Sequence, residues 1–325
     1  MWYLKTDYMV NGDNDGKFRD IMQYSNNLKW TDDIDTLAVS LEFDSLLDLA
    51  EGRSHIMLKK DSSLVFYGVI TKKTNKDKQS SYTAQDYAFY LNKNEDIVQF
   101  NNTDAKTAIY QLLGKYYISG AVLPLATKIT KFYKGKTISD IIKDIVSQCS
   151  SEIGEDVFME MRGIVLWVDK VSNLKLDCKY ILGNDFSVDR SMEEMYNAVT
   201  VSSNSESEAA ILAHVEDNDN IKTFGRMTKV LSVDSQNESQ ARNTAQNYLN
   251  AYDATKRELT FNVVDVYGCE NLRANRKLNV QIPKYGVSGY YKVKSAEHTL
   301  ADNTHKISVT IDFSNASFND PTQSS

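Results

Sequence analysis

Between Thr36 and Leu91 the hydrophobic positions recur with a period of two. Leu37, Val39, Leu41 and Phe43 alternate with polar or small neighbours, and Ile56 and Leu58 resume the alternation after Gly52. This is the pattern of strands with one face on a core. Asp61-Ser62-Ser63 turns the chain into Leu64-Val65-Phe66-Tyr67-Gly68-Val69-Ile70. That apolar run is short and rich in β-branched and aromatic residues, so it predicts a strand buried on both faces near its middle. Gly68 interrupts its row of side chains, which marks a bulge, a bend at a barrel corner or the close approach of another backbone. Lys72 to Ser80 reads as a polar hairpin tip and Ser81 to Asp86 as the returning strand. With strands over Trp2–Met9 and Lys17–Tyr24, the stretch predicts a small antiparallel barrel.

Beyond residue 95 the period changes to 3.6. Thr103 is placed to cap a helix whose apolar face is Ala105, Ala108, Ile109, Leu112, Leu113 and Tyr116. Thr137-Ile138-Ser139-Asp140 has capping-box spacing, and Ile138, Ile141, Ile142, Ile145, Val146 and Cys149 form one stripe behind it. A hairpin follows, Val157–Met161 and Ile164–Val168 about Arg162-Gly163. From Tyr196 the period of two returns, in Ala198–Val201 and Ala210–Val215. A helix opening at Ser235-Gln236-Asn237-Glu238 follows, with Ala241, Ala245, Tyr248, Leu249 and Tyr252 on one face. Strands are predicted at Leu259–Val263, Lys277–Ile282, Gly289–Val293 and Lys306–Ile311, and the residues after Phe313 form a polar tail. The two strand-rich ends echo each other. Gly52, Ile56, Leu58, Gly68-Val69-Ile70 and Tyr82 correspond in order to Asn275, Leu278, Val280, Gly289-Tyr290-Tyr291 and Ile307. Gly and Asn both tolerate positive φ, so Gly52 and Asn275 are suited to the same turn.

The order Trp30, Leu41-Glu42-Phe43, Gly52, Leu64-Val65-Phe66-Tyr67-Gly68-Val69 and Tyr82-Thr83-Ala84-Gln85-Asp86 resembles the N-terminal barrel of phage baseplate hub proteins of the XkdQ/YqbQ-like family, found in phages and phage-tail-like bacteriocins. The helix, hairpin and Trp167-containing strand of the middle region, and the Phe224-Gly225 step before a strand, extend the likeness over nearly the whole length. Asn275 departs from it, since family members commonly have glycine there. The resemblance implies an α+β, multi-domain fold, with two similar small antiparallel β-barrels separated by a helix-and-sheet domain. The expected division is 1–95 for the first barrel, 96–190 for the α+β domain and 191–315 for the second barrel. The second barrel carries an inserted helix at about 238–252, and 316–325 is a disordered tail. The resemblance also implies a homotrimer that links a sixfold tail tube to a trimeric spike. Its expected partners are the tail tube, the central spike and other baseplate and tape-measure proteins.

Composition adds mainly exclusions. With 325 residues, 42% hydrophobic and 25% charged, the chain is an ordinary globular protein large enough for two or three domains. No run is long and apolar enough to span a membrane, and the start lacks the layout of a signal peptide, so the protein is expected in the bacterial cytoplasm until it joins the baseplate. A net charge of −7 gives no footprint for binding phosphate backbones, and Lys72, Lys73, Lys76 and Lys78 read as a solvated tip. Cys149, Cys178 and Cys269 are far apart and in no metal-binding spacing, so all three are expected reduced, with two in the core. Asn11, Asp13, Asp15 and Gly16 open like a calcium loop, but Met22 stands where a carboxylate is needed, leaving a hairpin turn as the better account. The four histidines are scattered, Asp32-Asp33 and Glu193-Glu194 are adjacent rather than opposed across a cleft, and no nucleophile or phosphate-loop motif is present.

A structural role without catalysis, cofactor or metal is therefore expected. Its rivals are an enzyme that degrades cell-wall polymers and a carbohydrate-binding β module. Leu46, Leu47 and Leu49 fall between two strands with no evident face to fill and are the candidate subunit interface.

Overall fold

The computed structural model describes residues 1–7, 16–203, 210–233 and 238–314. The turn at Asn11–Asp15, the capping position Ser235 and the C-terminal tail lie outside the described residues. The first region comprises β1 (Trp2–Thr6), β2 (Arg19–Asp20), β3 (Ser25–Asp33), β4 (Ser40–Ser45), β5 (His55–Lys60), β6 (Ser63–Asn75) and β7 (Ser80–Asp86). The middle region runs through α1 (Ala88–Lys93), β8 (Glu95–Asp104), α2 (Ala105–Gly114), β9 (Ser119–Val122), β10 (Lys128–Thr137), α3 (Ile138–Ile153), β11 (Val157–Arg162) and β12 (Val165–Lys170). The last region has β13 (Lys175–Leu176), β14 (Lys179–Ser191), β15 (Ala198–Ser203), β16 (Ile211–Glu216), α4 (Asn218–Phe224), β17 (Thr228–Val233), α5 (Glu238–Tyr252), β18 (Lys256–Tyr267), β19 (Lys277–Ile282), β20 (Val287–Ala301) and β21 (Thr304–Asp312).

The fold is mostly β, with helices concentrated in the middle. Both strand-rich ends join one 13-stranded sheet. Neither end closes into a hydrogen-bonded barrel among the described residues, which corrects the expectation of two closed barrels. The physical reason is that β3, whose free side the first closure needs, pairs with β20 from the other end of the chain. Each end nevertheless rolls around its own core. Leu4, Trp30, Leu41, Leu58, Phe66 and Ala84, from six different strands, meet in one buried cluster, and Leu259, Leu278, Val293 and Ile307 do the same at the other end.

The two ends share a strand order. It runs β3-β4-β7-β6-β5-β1 in the first and β14-β18-β21-β20-β19-β13 in the second. Strands correspond one to one in chain order, although β1 meets β5 antiparallel whereas β13 meets β19 parallel. The register agrees in detail. A bulge separates Ile70 from Lys72 against β7, and an equivalent bulge separates Val293 from Ser295 against β21. Gly52 and Asn275 both have positive φ, 72° and 64°. Gly52 N donates to Ile70 O at 2.8 Å, and Asn275 N donates to Val293 O at 2.9 Å. The second copy differs by an insertion between β14 and β18, where β16, β15 and β17 form a separate three-stranded sheet. Ala241, Ala245 and Leu249 of α5 cover its Val199, Val201 and Val215.

The middle region packs α2 and α3 on one core with the β11–β12 hairpin, through Ile109, Leu112, Ile141, Ile145, Met161 and Leu166. Parallel β9 extends that hairpin. Asp104, rather than Thr103, caps α2 by accepting from Thr107 N, because the carboxylate reaches the first-turn amide from one residue nearer the helix. Thr137 caps α3 as its spacing predicts.

Candidate assembly surfaces

The two copies meet along a buried polar seam. β3 and β20 pair from Asp33 with Ser295 to Leu28 with Leu300, and Leu300 is buried in the core of the first copy. Trp30 lies flat against His298 at 4.6 Å and His305 at 5.3 Å, and Trp2 meets His305 edge-on at 5.0 Å. His298 Nε2 donates to Leu272 O at 2.7 Å, so a neutral His298 accepts at Nδ1 from His305 Nε2, 2.9 Å away. His305 Nδ1 is 2.8 Å from Asp265 Oδ2, which also accepts from Lys60 Nζ at 2.7 Å. Lys60 reaches Glu270 at 3.0 Å as well. Burial and the neighbouring His305 push His298 well below its usual range, which keeps it neutral. Burial opposes the charge on Asp265, but His305 and Lys60 outweigh it and hold that carboxyl below the usual carboxylate range. Lys60 of the first copy, by bonding Asp265 and Glu270 of the second, carries this network across the seam.

A second buried network ties the middle region to both copies. Arg276 makes a two-pronged pair with Glu160 of β11 at 2.9 and 2.8 Å. Arg273 bonds Asp32 of β3 and, at 3.1 Å, the carbonyl of Met161. Burial acts to raise Glu160, but Arg273, Arg276 and Arg162 hold it at about 2. Burial pushes Asp86 up to about 7, against the amides of Val39 and Ala88 that donate to its oxygens.

A cavity of about 420 Å³ opens beside this network, lined by Asp32, Asp156, Glu160, Arg273 and Lys292 among others. Three of its acids are in ion pairs: Asp32 with Arg273, Glu160 with Arg276, and Asp156 with Lys292. A general acid needs a carboxyl raised toward neutrality, and Glu160 is shifted the other way. No grouping of three or more metal-ligating side chains occurs among the described residues, and no described helix is long and apolar enough to cross a membrane.

Of the three candidate interface leucines, Leu46 is 65% exposed, Leu47 is half-buried against the first core and Leu49 is 1% exposed within it. The Leu49 amide also donates to the Tyr82 hydroxyl, which in turn donates to Leu47 O, so the loop folds back over its own sheet and presents Leu46. Cys149 and Cys269 are buried, Cys178 is half-buried, and all three are free. The sequence reading did not single out the seam. A signal for part of it exists: Asp302-Asn303 forms a two-residue turn, and such a turn sets His298 and His305 diagonally on one face of the hairpin.

Residues 28–312 match the YQBQ-like family. The chain belongs to that family. Its similarity to the uncharacterized protein YqbQ of Bacillus subtilis (strain 168) is 22% identity over 276 residues, covering 82% of this chain and 83% of that protein. Among solved structures, this YQBQ-like chain shares its fold with the 43 kDa tail protein of prophage MuSo2 from Shewanella oneidensis, at TM-score 0.67 and 13% identity, over 95% of this chain and 97% of the other. A tail protein from Neisseria meningitidis MC58 gives TM-score 0.68 and 13% identity, over 97% of each chain. Escherichia coli c3393, a type VI secretion component described as similar to the T4 tail proteins gp27 and gp5, gives 0.53 at 10% identity, over 92% of this chain and 76% of that one.

Proposed function

We propose that the chain is the structural hub of a contractile-tail baseplate, in a phage or phage-tail-like particle, and that it joins the sixfold tail tube to the trimeric central spike as a homotrimer. The observation that carries this reading is the pair of copies with one strand order in a single chain. Three chains supply six such units, enough to continue a sixfold tube, while the α-helical middle region repeats three times and suits a threefold spike. The likeness to tail proteins supports the same role, with the tube, the spike and other baseplate and tape-measure proteins as partners. In this reading the three parts are the first copy, the helical middle region and the second copy, which by sheet pairing begins with β13 at Lys175 and not at the expected 191, and each rolled sheet acts as a barrel in the ring. The protein is made in the bacterial cytoplasm and ends in the baseplate.

The role is non-enzymatic. Asp32, Glu160 and Asp156, beside the cavity, serve as ion-pair partners between regions, as a rigid connector requires. Exposed Leu46 is the contact offered to a neighbouring subunit. The test is an electron-microscopy reconstruction of the particle. Three copies per ring, with both sheet units of each chain in one layer, is the expected result, and six copies per ring overturns the adaptor.

A further inference from the structure

The internal seam has a counterpart that the described strands of the single chain leave open. In the second copy, β20 pairs with β19 over Val287–Lys292, and its further stretch, Ser295–Leu300, is covered by β3. In the first copy, β6 pairs with β5 over Ser63–Val69, while residues 71–75 have β7 on one side and no described strand on the other. Likewise β3 has partners on both sides, β4 and β20, whereas its equivalent β14 pairs with β18 alone among the described strands. Each copy therefore has one half of a junction whose other half is found in the other copy. One junction is made within the chain, and the matching pair of edges has no strand partner among the described residues.

We propose that the open edge of β14 pairs antiparallel with residues 71–75 of β6 in a second copy of this chain, in the register set by the internal seam. This rests on the hub reading and names the contact that closes its ring. The equivalences follow the ladders. Trp30, Leu41, Ala84 and Ile70 lie opposite one another in turn, as do Val188, Leu259, Ile311 and Val293. Val188 thus takes the place of Trp30, and Asn75 takes that of His298, which pairs with Trp30 at the seam. The intermolecular register is then Lys72 with Ser191, Lys73 with Arg190, Thr74 with Asp189 and Asn75 with Val188.

The chemistry of the two edges fits this occupant. Lys72, Thr74 and Asn75 are exposed, as are Ser187 and Asp189. Lys72 comes diagonally beside Asp189, an opposite-charge neighbour on the same face. Lys73 is already paired with Asp48, which relieves its opposition to Arg190. Lysines on an unpaired edge deter indiscriminate strand addition, so an edge of this kind selects a partner carrying the counter-charge. Because the two edges differ, the contact is head-to-tail, and it closes into a ring when the rotation allows.

The test uses the full-length chain carrying both Thr74→Cys and Asp189→Cys, oxidised mildly at high protein concentration and in assembled particles. Directly opposed residues on antiparallel strands lie within disulfide reach. Covalent species that stop at three copies are expected, while a mixture of chains each carrying one substitution gives dimers only, and either single variant alone gives none above the native cysteines. Absence of the cross-link in both settings overturns the pairing, and if three-copy rings are still seen the hub reading survives without it. Cross-linked chains that grow beyond three copies support the pairing and overturn the three-copy ring. As a check on register, Lys72→Glu or Asp189→Lys weakens association by about two- to fivefold per junction. The two together restore it, and a double variant no better than either single overturns the register.

Discussion

Gly68 shows how one position constrains a sheet. A Cβ built there falls 2.1 Å from the Gln85 carbonyl oxygen and 2.7 Å from Cζ of Phe66, so the close backbone approach is real and β7 leaves no room for a side chain. Gly68→Ala is expected to cost about 1–3 kcal/mol through overpacking, read as a lower urea midpoint with little change in slope. Phe66 is 3% exposed in the first core, so Phe66→Ala should cost about 3–5 kcal/mol. A melting temperature unchanged within error would show that the strand is misplaced. Val65 is only half-buried, and truncating it should cost less. The leucine loop separates stability from assembly. Leu49→Asp places a charge in the core and should unfold the first copy, whereas Leu46→Asp should keep the melting temperature and weaken subunit association. An association constant unaffected by Leu46→Asp would remove Leu46 from the interface.

Among elements, α3 was the most legible. Its stripe Ile138, Ile141, Ile142, Ile145, Val146 and Cys149 is buried throughout, Thr137 caps it, and Gly154 ends it at φ 66°. Thr137→Ala should cost about 1 kcal/mol, measured by thermal or urea unfolding of the full chain. The strands β8 and β10 were not legible. Their buried residues Phe100, Ile129 and Tyr133 sit among exposed lysines and asparagines, and bulges between Ile129 and Lys131 and between Lys134 and Lys136 break the period of two. The insertion of β15 to α5 was legible in β15, β16 and α5 though not in α4. Its separation as a small sheet of its own was not, because a period of two states that a strand has a buried face without naming the sheet it joins.

For the whole molecule, the buried networks predict a pH response. Glu160 titrates at about 2 in the fold against 4.5 in the unfolded chain, so its contribution is complete above pH 4.5 and lost as pH falls toward 2. His298 is pushed below 6.5, so the unfolded chain takes up a proton first and stability begins to fall as pH drops below 6.5. Asp86, raised to about 7, works the other way and loses its contribution as pH rises from 3.8 through 7. Glu160→Gln should flatten the acid limb of the stability curve between pH 4.5 and 2. It should also cost about 3–5 kcal/mol at neutral pH, since Arg276 is left buried without its charge partner. An acid limb identical to that of the unsubstituted chain would exclude Glu160 as its source.

The sequence alone determined the local elements that repeat a period: β1 and β4 to β7 at the first end, the centres of β18 to β21 at the second, though neither β3 nor β14, the two middle helices and the last one, and the hairpin between β11 and β12. It also carried the family likeness and the echo of Gly52 in Asn275, because positive φ is a property of single residues. Only the tertiary structure decided that β3 takes β20 as its neighbour, that Trp30 lies against His298 and His305, and that Glu160 meets Arg276 across 116 positions of chain. Such contacts depend on which sheet edges meet, and edge pairing runs through backbone amides and carbonyls that every residue carries alike.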